Sequence, residues 1–263
     1  MGNDSPFISP GNPARFLDNS GESRLDRVNG VLAKSDDGGG TYSPLGGGSG
    51  FAAGSAEAAL TARSASIMGS NSWAYEFDDF EAHTLNRWSV LGPPVQDATH
   101  GFGVWTCVNT NTFIGFKTIV AVANPSVTPW HVAGRMRLAT AAGAAEVKGF
   151  SLDSGSADFV RVGLQGAQST AKFSATITKA SVLVASALST VNVDTTNFHV
   201  FELWFDGTSC WMSVDGETPV FVCAAATLPV VALCDRWGTG AAAGGALGAY
   251  YDYFYSAAAR TAT

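Results

Sequence analysis

An all-β fold of two antiparallel sheets packed face to face is predicted by three features of the sequence. From residue 70 onward the chain is a succession of short apolar runs separated by Gly, Asn, Asp, Ser and Pro clusters, the pattern of an antiparallel sandwich. The stretch FHVFELWFDGTSCWMSVDGETPVFVC, Phe198 to Cys223, contains two Asp-Gly pairs, each between apolar runs. Such pairs mark hairpins, because a tight turn needs positive φ and these residues tolerate it. Helix-like text is confined to one Ala-rich stretch.

The elements follow in chain order. Residues 1–72 are rich in Gly, Ser, Ala, Asn and Asp, and all seven Trp lie at or after Trp73. A domain boundary is therefore expected near residue 70. The first 50 residues carry too little apolar surface for a core of their own, and an extended, Gly-rich assembly-docking arm is expected there. Within it RVNGVLAKSDDGGGTYSPL, Arg27 to Leu45, reads as a short hairpin turning at Asp36-Asp37 and the three glycines. Its anchors are the scattered apolar residues Phe7, Ile8, Phe16, Leu25, Val28, Val31, Leu32, Tyr42 and Leu45. Residues 51–69 form a connector, with a short helix supported by Ala propensity over Phe51 to Met68.

Residues 70–263 supply the sandwich strands: WAYEFDDF, GVWTCV, TFIGFKTIVAVA, WHVAGRMRL, EVKGFSLD, FVRVGL, KFSATIT, SVLVASA, the Phe198–Cys223 meander, VVALCD and AYYDYFY. In the first meander strand Phe201, Leu203 and Phe205 share one face and Val200, Glu202 and Trp204 the other. The Ala and Gly run from Gly238 to Gly248 is expected as a long loop.

Composition narrows the function classes. The chain of 263 residues is 46% hydrophobic and 14% charged, with a formal net charge of -7 and a pI near 5.0. That balance argues against nucleic-acid and anionic-membrane partners, which favour basic patches. The N-terminus lacks the basic start and apolar run of a secretory signal, so synthesis in a cytoplasm is expected. Cys107, Cys210, Cys223 and Cys234 have no metal-site spacing and are expected as thiols. No metal or cofactor is implied: Asp153, Asp158 and Asp206 are the candidate calcium ligands, but no loop there has dense oxygen-ligand spacing.

Two resemblances attach to particular residues. W-M-S-V-D-G-E-T-P-V at Trp211 to Val220, preceded by F-H-V-F-E-L at Phe198 to Leu203, resembles the penultimate strands of concanavalin A-like lectin and glucanase domains. Tyr75 to Trp88 is similar to their first strand, and Tyr250 to Tyr255 to the last strand that returns beside it. The resemblance implies a concanavalin A-like jelly roll. The Arg27–Leu45 phrase resembles segments near the N-termini of tailed-bacteriophage virion proteins, which implies other virion proteins as partners of the arm and a virion location.

Glu76-Phe77-Asp78-Asp79-Phe80-Glu81 matches E-x-D-x-x-E, the acidic motif of laminarinase-type glucanases, where the outer glutamates serve as nucleophile and general acid. Five positions apart on a regular strand, Glu76 and Glu81 face opposite sides, and no catalytic residue is assigned. Trp88, Trp105, Trp204 and Trp237 are candidate sugar-stacking platforms. The resulting expectation is a non-enzymatic, homo-oligomeric virion protein, a capsid decoration, head fibre or tail-associated component, that displays a lectin-like domain to host or cell-surface glycans. The alternatives are a carbohydrate-binding adhesion module and a glucanase-like hydrolase.

Overall fold

The computed structural model describes nine short strands between residues 16 and 116, helical residues 59–60, 62–63 and 66–67, residue 122, and residues 124–140, 143–155, 157–240 and 247–259. The chain divides into two units, Met1–Ala65 and Ser66–Thr263.

The first unit contains β1 (Phe16–Leu17), β2 (Arg24–Val28), β3 (Val31–Ser35) and β4 (Ser43–Pro44), joined in that order into a four-stranded antiparallel sheet. These four short strands lie within the stretch expected as an extended arm, and the β3–β4 pairing falls where its hairpin was expected. The pairing of β3 with β4 spans the Asp-Gly stretch, and Val28 pairs with Val31 across the Asn29-Gly30 dipeptide, a two-residue turn signal in the sequence. Of the proposed anchors, Phe16, Leu25, Val28, Val31 and Leu32 lie on these strands. Phe7, Ile8, Tyr42 and Leu45 lie outside the described residues.

The second unit is a sandwich. One sheet has eight strands in the order β17 (Val220–Ala224), β16 (Ser209–Val214), β15 (His199–Phe205), β10 (Trp130–Leu138), β19 (Leu247–Ala259), β8 (Trp105–Val108) and β7 (Val95–Gln96), with β5 (Trp73–Asp78) also paired to β19. The other has seven: β14 (Val182–Asn192), β13 (Lys172–Lys179), β12 (Phe159–Gln165), β11 (Val147–Asp153), β18 (Cys234–Gly240), β9 (Thr112–Phe116) and β6 (Trp88–Ser89). The described pairings are antiparallel, and the fold is the all-β jelly roll expected.

The core forms where the period-two patterns of the two sheets meet. Trp130, Val132, Phe201, Leu203, Phe205, Tyr251 and Phe254 come from one sheet, and Phe150, Leu152, Val160, Val162, Phe173, Ile177 and Trp237 from the other. Tyr251 and Phe254 are three positions apart, so a regular strand would turn one of them outward. A bulge solves this: Arg135 pairs with Tyr253 and Met136 with Tyr251, which leaves Asp252 as the extra residue. Its carboxylate accepts a 2.6 Å hydrogen bond from Arg135 Nη1. Gly134 lets the Phe150 ring approach, since a Cβ there would lie 2.2 Å from it.

Three local readings change. Asp206-Gly207 opens a three-residue loop before β16, and Asp215-Gly216 a five-residue loop before β17, with Asp215 and Gly216 at φ 52° and 71°. The strand expected over VVALCD begins only at Cys234 and runs to Gly240, into the stretch expected as a loop; Val230 and Val231 are exposed. Trp237 anchors it inward, and Gly238 stands opposite Gly149. Cys210 and Cys223 are direct cross-strand partners and are thiols, as is Cys234. Burial and the neighbouring Cys223 thiol push Cys210 well above its ordinary value, while the hydrogen bond from Cys210 lowers Cys223.

The loop after β16 clasps the two sheets together. Glu217 accepts hydrogen bonds from Ser189 Oγ at 2.6 Å and Thr190 N at 2.8 Å, both on β14 of the opposite sheet, and from Val214 N at 3.1 Å. Asp215 in the same loop accepts from Val200 N at 2.8 Å and stands 2.6 Å from His199 Nδ1.

Candidate functional site

The strands β11, β12, β13 and β18 turn a polar face away from the core. Their sequences alternate strictly: between inward Phe150, Leu152, Val160, Val162, Phe173 and Ile177 come Ser151, Asp153, Phe159, Arg161, Gln165, Ser174, Thr176 and Thr178. Register then lines these up across the sheet. Arg236, Ser151, Arg161 and Thr176 form one row, and Asp153, Phe159 and Thr178 the next. A third row is Gly238, Gly149, Gly163 and Ser174. Glycine is required in that row: at Gly149 (φ 155°) a Cβ would lie 2.1 Å from the Val162 carbonyl, and at Gly163 (φ 141°) 2.2 Å from that of Lys148. Beside the polar rows the sheet face is thus reduced to backbone, a trough whose glycines and serines are themselves buried.

A pocket of about 210 Å³ opens on this face, lined by Phe159, Arg161, Gln165, Thr176, Thr178 and Leu183 together with residues of the 144–147 and 167–168 segments. Ligand pockets for larger molecules run to ~300–1,000 Å³, so this one is of the scale of a single sugar ring. Ser151 Oγ, Ser174 Oγ, Thr176 Oγ1 and Gln165 Nε2 are buried and have no hydrogen-bond partner among the described residues. Buried polar groups are nearly always paired. Their concentration on one face indicates donors and acceptors held ready for a polar ligand.

The charges on the face are few. Asp153 Oδ2 lies 3.6 Å from Arg161 Nη2 and 3.8 Å from Arg236 Nη1, while its Oδ1 accepts a 2.6 Å hydrogen bond from Gly155 N. Burial lowers the Arg161 guanidinium to about 10, with Asp153 opposing and Arg236 reinforcing the shift. It also stacks on the Phe159 ring, 4.1 Å from the centroid. Glu146, at the start of β11, pairs with Lys148 at 2.8 Å and accepts from Gly143 N at 3.1 Å. Glu146 and Asp153 bracket a seven-residue strand, so they stand roughly 20 Å apart. They are not the close carboxylate pair of a retaining glycosidase, which needs ~5–5.5 Å.

The sequence-predicted site residues fall elsewhere. Trp237 is fully buried in the core, packed 5.0 Å from Tyr251, and is corrected from sugar platform to core residue. Trp204 is 5% exposed on the eight-stranded sheet, beside His131, and offers no open ring face. Trp88 and Trp105 start β6 and β8, with side chains outside the described residues. Glu76 lies on β5 opposite Ser256, in the sheet that does not carry the trough; Glu81 lies outside the described residues. Asp158 accepts a hydrogen bond from Ala180 N in the turn between β13 and β14, and Asp206 is engaged by its own turn; no cluster of three acidic, Cys or His side chains suited to a metal occurs among the described residues. The trough residues were missed individually, yet FVRVGLQ and KFSATITK announce them: strict alternation puts Arg, Gln, Ser and Thr on one face.

No family model and no curated protein matches the sequence. Solved structures share the fold. A β-1,3-1,4-glucanase (lichenase) from a mouse hindgut metagenome is similar over 70% of this chain and 98% of its own, at 13% identity and a TM-score of 0.50. A Crh5 transglycosylase in complex with NAG is similar over 72% of this chain and 84% of its own, at 18% identity and 0.50. A protein of unknown function from Shewanella oneidensis MR-1 is similar over 78% and 95%, at 16% identity and 0.50. The all-β jelly roll shared with these structures is therefore shown as the fold. The expectation of a non-enzymatic phage virion protein is corrected by the same findings: the fold's neighbours include a glucanase and a transglycosylase, which direct attention to carbohydrate chemistry and give the virion reading no support.

Proposed function

We propose that this chain is a carbohydrate-active protein that holds a glycan along the trough of the seven-stranded sheet, with cleavage or transfer of a glycosidic bond as the activity to be measured. The observation that carries the reading is the set of buried, unpartnered hydroxyl and amide groups of Ser151, Gln165, Ser174 and Thr176 on one sheet face. Two of them, Gln165 and Thr176, line the pocket. A pyranose presents hydroxyls that can donate and accept at such groups, while Phe159 and Leu183 supply the apolar contact that a ring face needs. The likeness to a lichenase and a transglycosylase supports the same ligand class.

The test is a panel of soluble oligosaccharides assayed both for binding by calorimetry and for new reducing ends. Binding that falls about tenfold or more in Thr176→Val and Gln165→Leu, each removing one hydrogen-bonding group, is the expected result. If no oligosaccharide binds, or if both variants bind like the parent, the trough is not the site.

A further inference from the structure

Both sheets of the sandwich end on one flank in strands without a charged residue. β14, VLVASALSTVN, is the terminal strand of the seven-stranded sheet, β17, VFVCA, is that of the eight-stranded sheet, and the two pack against each other. On β14 Val182, Leu183, Val184 and Leu188 are 41–61% exposed, and on β17 Phe221 is 50% exposed. We propose that β14 pairs antiparallel with β14 of a second copy of this chain, joining the two seven-stranded sheets edge to edge across a two-fold axis.

An edge strand presents unpaired backbone N–H and C=O groups to any strand that reaches them, and proteins guard such edges with lysine, proline, bulges or shortness. β14 is eleven residues long and holds neither lysine nor proline. Its register shifts twice, at Val184 and between Leu188 and Asn192, and Ala185–Leu188 is regular between the shifts. Beyond the second shift the strand is engaged by its own chain: Thr190 N donates to Glu217, and Lys172 Nζ donates to the Thr190 carbonyl. The open part is therefore Val182–Leu188, whose backbone pairs only with β13 among the described residues. Alternation turns Ser186 and Leu188 outward, beside Thr176 and Ser174, and Ala185 and Ala187 toward the core.

A second copy is the occupant because the edge complements itself: an antiparallel pair about a two-fold axis makes every contact twice, with the same residues on the same face. The open part carries no charge for a different partner to match, and two chains of net charge -7 repel least where neutral residues meet. Each end of the edge has one lysine and one carboxylate beside it, Lys179 with Asp158 near Val182 and Lys172 with Glu217 near Thr190. Antiparallel pairing sets one end against the other and accumulates neither sign. The flank is roughly 35 Å long and, for two sheets ~10 Å apart with their outer side chains, roughly 20 Å wide. Full contact would thus cover on the order of 700 Å² per copy, just under the ~800 Å² of a stable interface. The bulges reduce that contact, so the dimer is a weak one that forms and dissociates with concentration. It is independent of any glycan in the trough.

Analytical ultracentrifugation of the full chain, from about 1 µM to about 1 mM, decides the matter. The expected result is a mass that rises from one copy to two, half-associated at about 10–100 µM. Ser186→Lys and Leu188→Lys place like charges against each other across the axis, and each should weaken association about tenfold or more. Both positions are exposed, so circular dichroism and melting curves should match the parent. Val230→Lys, at an exposed valine outside the two strands, should associate like the parent. A chain that stays monomeric over the whole range overturns the pairing, as does association unchanged in both β14 variants. Equal loss of association in Val230→Lys would show nonspecific apolar contact in its place. Growth beyond two copies would exclude a closed two-fold pair.

Discussion

Tyr251 joins the two sheets through one hydroxyl. Its OH donates to the Gly238 carbonyl and accepts a 3.2 Å hydrogen bond from Gly149 N. The ring comes from β19 of the eight-stranded sheet, and its partners lie on β18 and β11 of the other. Because the residue is fully buried, water cannot replace the hydroxyl when it is lost. Tyr251→Phe should therefore cost about 1–3 kcal/mol, the range for leaving buried backbone groups unpaired, read as a lower urea midpoint at unchanged slope. His199 is the residue with a pH signature. Burial pulls it down, but the hydrogen bond and charge of Asp215, then those of Asp194, outweigh that and hold it above its ordinary 6.5. Both ring nitrogens face carboxylates, Nδ1 at 2.6 Å and Nε2 at 3.1 Å. A raised value in the fold means that the protonated form is the stabilising one. The contribution is complete below pH 6.5 and is lost as the pH rises through the folded value. Urea midpoints measured from pH 6 upward should fall with pH in the parent and change less in His199→Gln; parallel curves would show that the imidazolium contributes nothing. Neither residue stood out in the sequence. One of four tyrosines near the chain's end and a lone strand histidine acquire their roles from partners that strand pairing brings to them: Gly238 and Gly149 for Tyr251, Asp215 and the nearer Asp194 for His199.

At the scale of elements, the turn joining β13 to β14 is the strained one. Ala180 and Ser181 have φ of 49° and 65°, a two-residue turn of the kind normally built from Asn-Gly. Positive φ costs an L-residue with a Cβ roughly 1–2 kcal/mol. The turn persists because Ser181 N donates to Ala157 O at 2.8 Å and Ala180 N to Asp158 Oδ1 at 3.0 Å. Replacing the pair by Asn-Gly should stabilise the protein by about 1 kcal/mol or more, measured by urea denaturation, and a loss of stability would show that the native pair is not strained. Strands with clear alternation, such as β10, β12, β13 and β15, were legible because their apolar residues report a face directly. β18 was not, because its interior is Trp237-Gly238-Thr239-Gly240 and the glycines belong to the trough; a residue kept small for close approach looks like loop text. The small sheet of residues 16–44 was hidden for the related reason that its strands are two to five residues long. The trough lay in the alternation, but its meaning depended on register, which places Arg236 next to Ser151 across 85 positions of sequence.

For the whole molecule, the sequence places the boundary near residue 70 from its tryptophans, and the second unit begins at Ser66. Every core residue named above lies between 130 and 254, and every pocket residue between 144 and 183. Both are held by strand pairings made within the second unit: β11 to β12 and β18, β12 to β13, and β13 to β14. A chain of roughly 200 residues with such a core buries enough surface to fold cooperatively without further support. Residues 66–263 expressed alone should therefore give a β-type circular dichroism spectrum and a single unfolding transition whose fluorescence and far-ultraviolet curves coincide. They should also bind the same oligosaccharides as the full chain, within about threefold, since less than 1 kcal/mol separates such affinities. A helical spectrum, or non-coincident transitions, would show that residues 1–65 are required for the sandwich. A cooperative fold that no longer binds would assign part of the glycan site to the first unit, and the trough would then be only one wall of it.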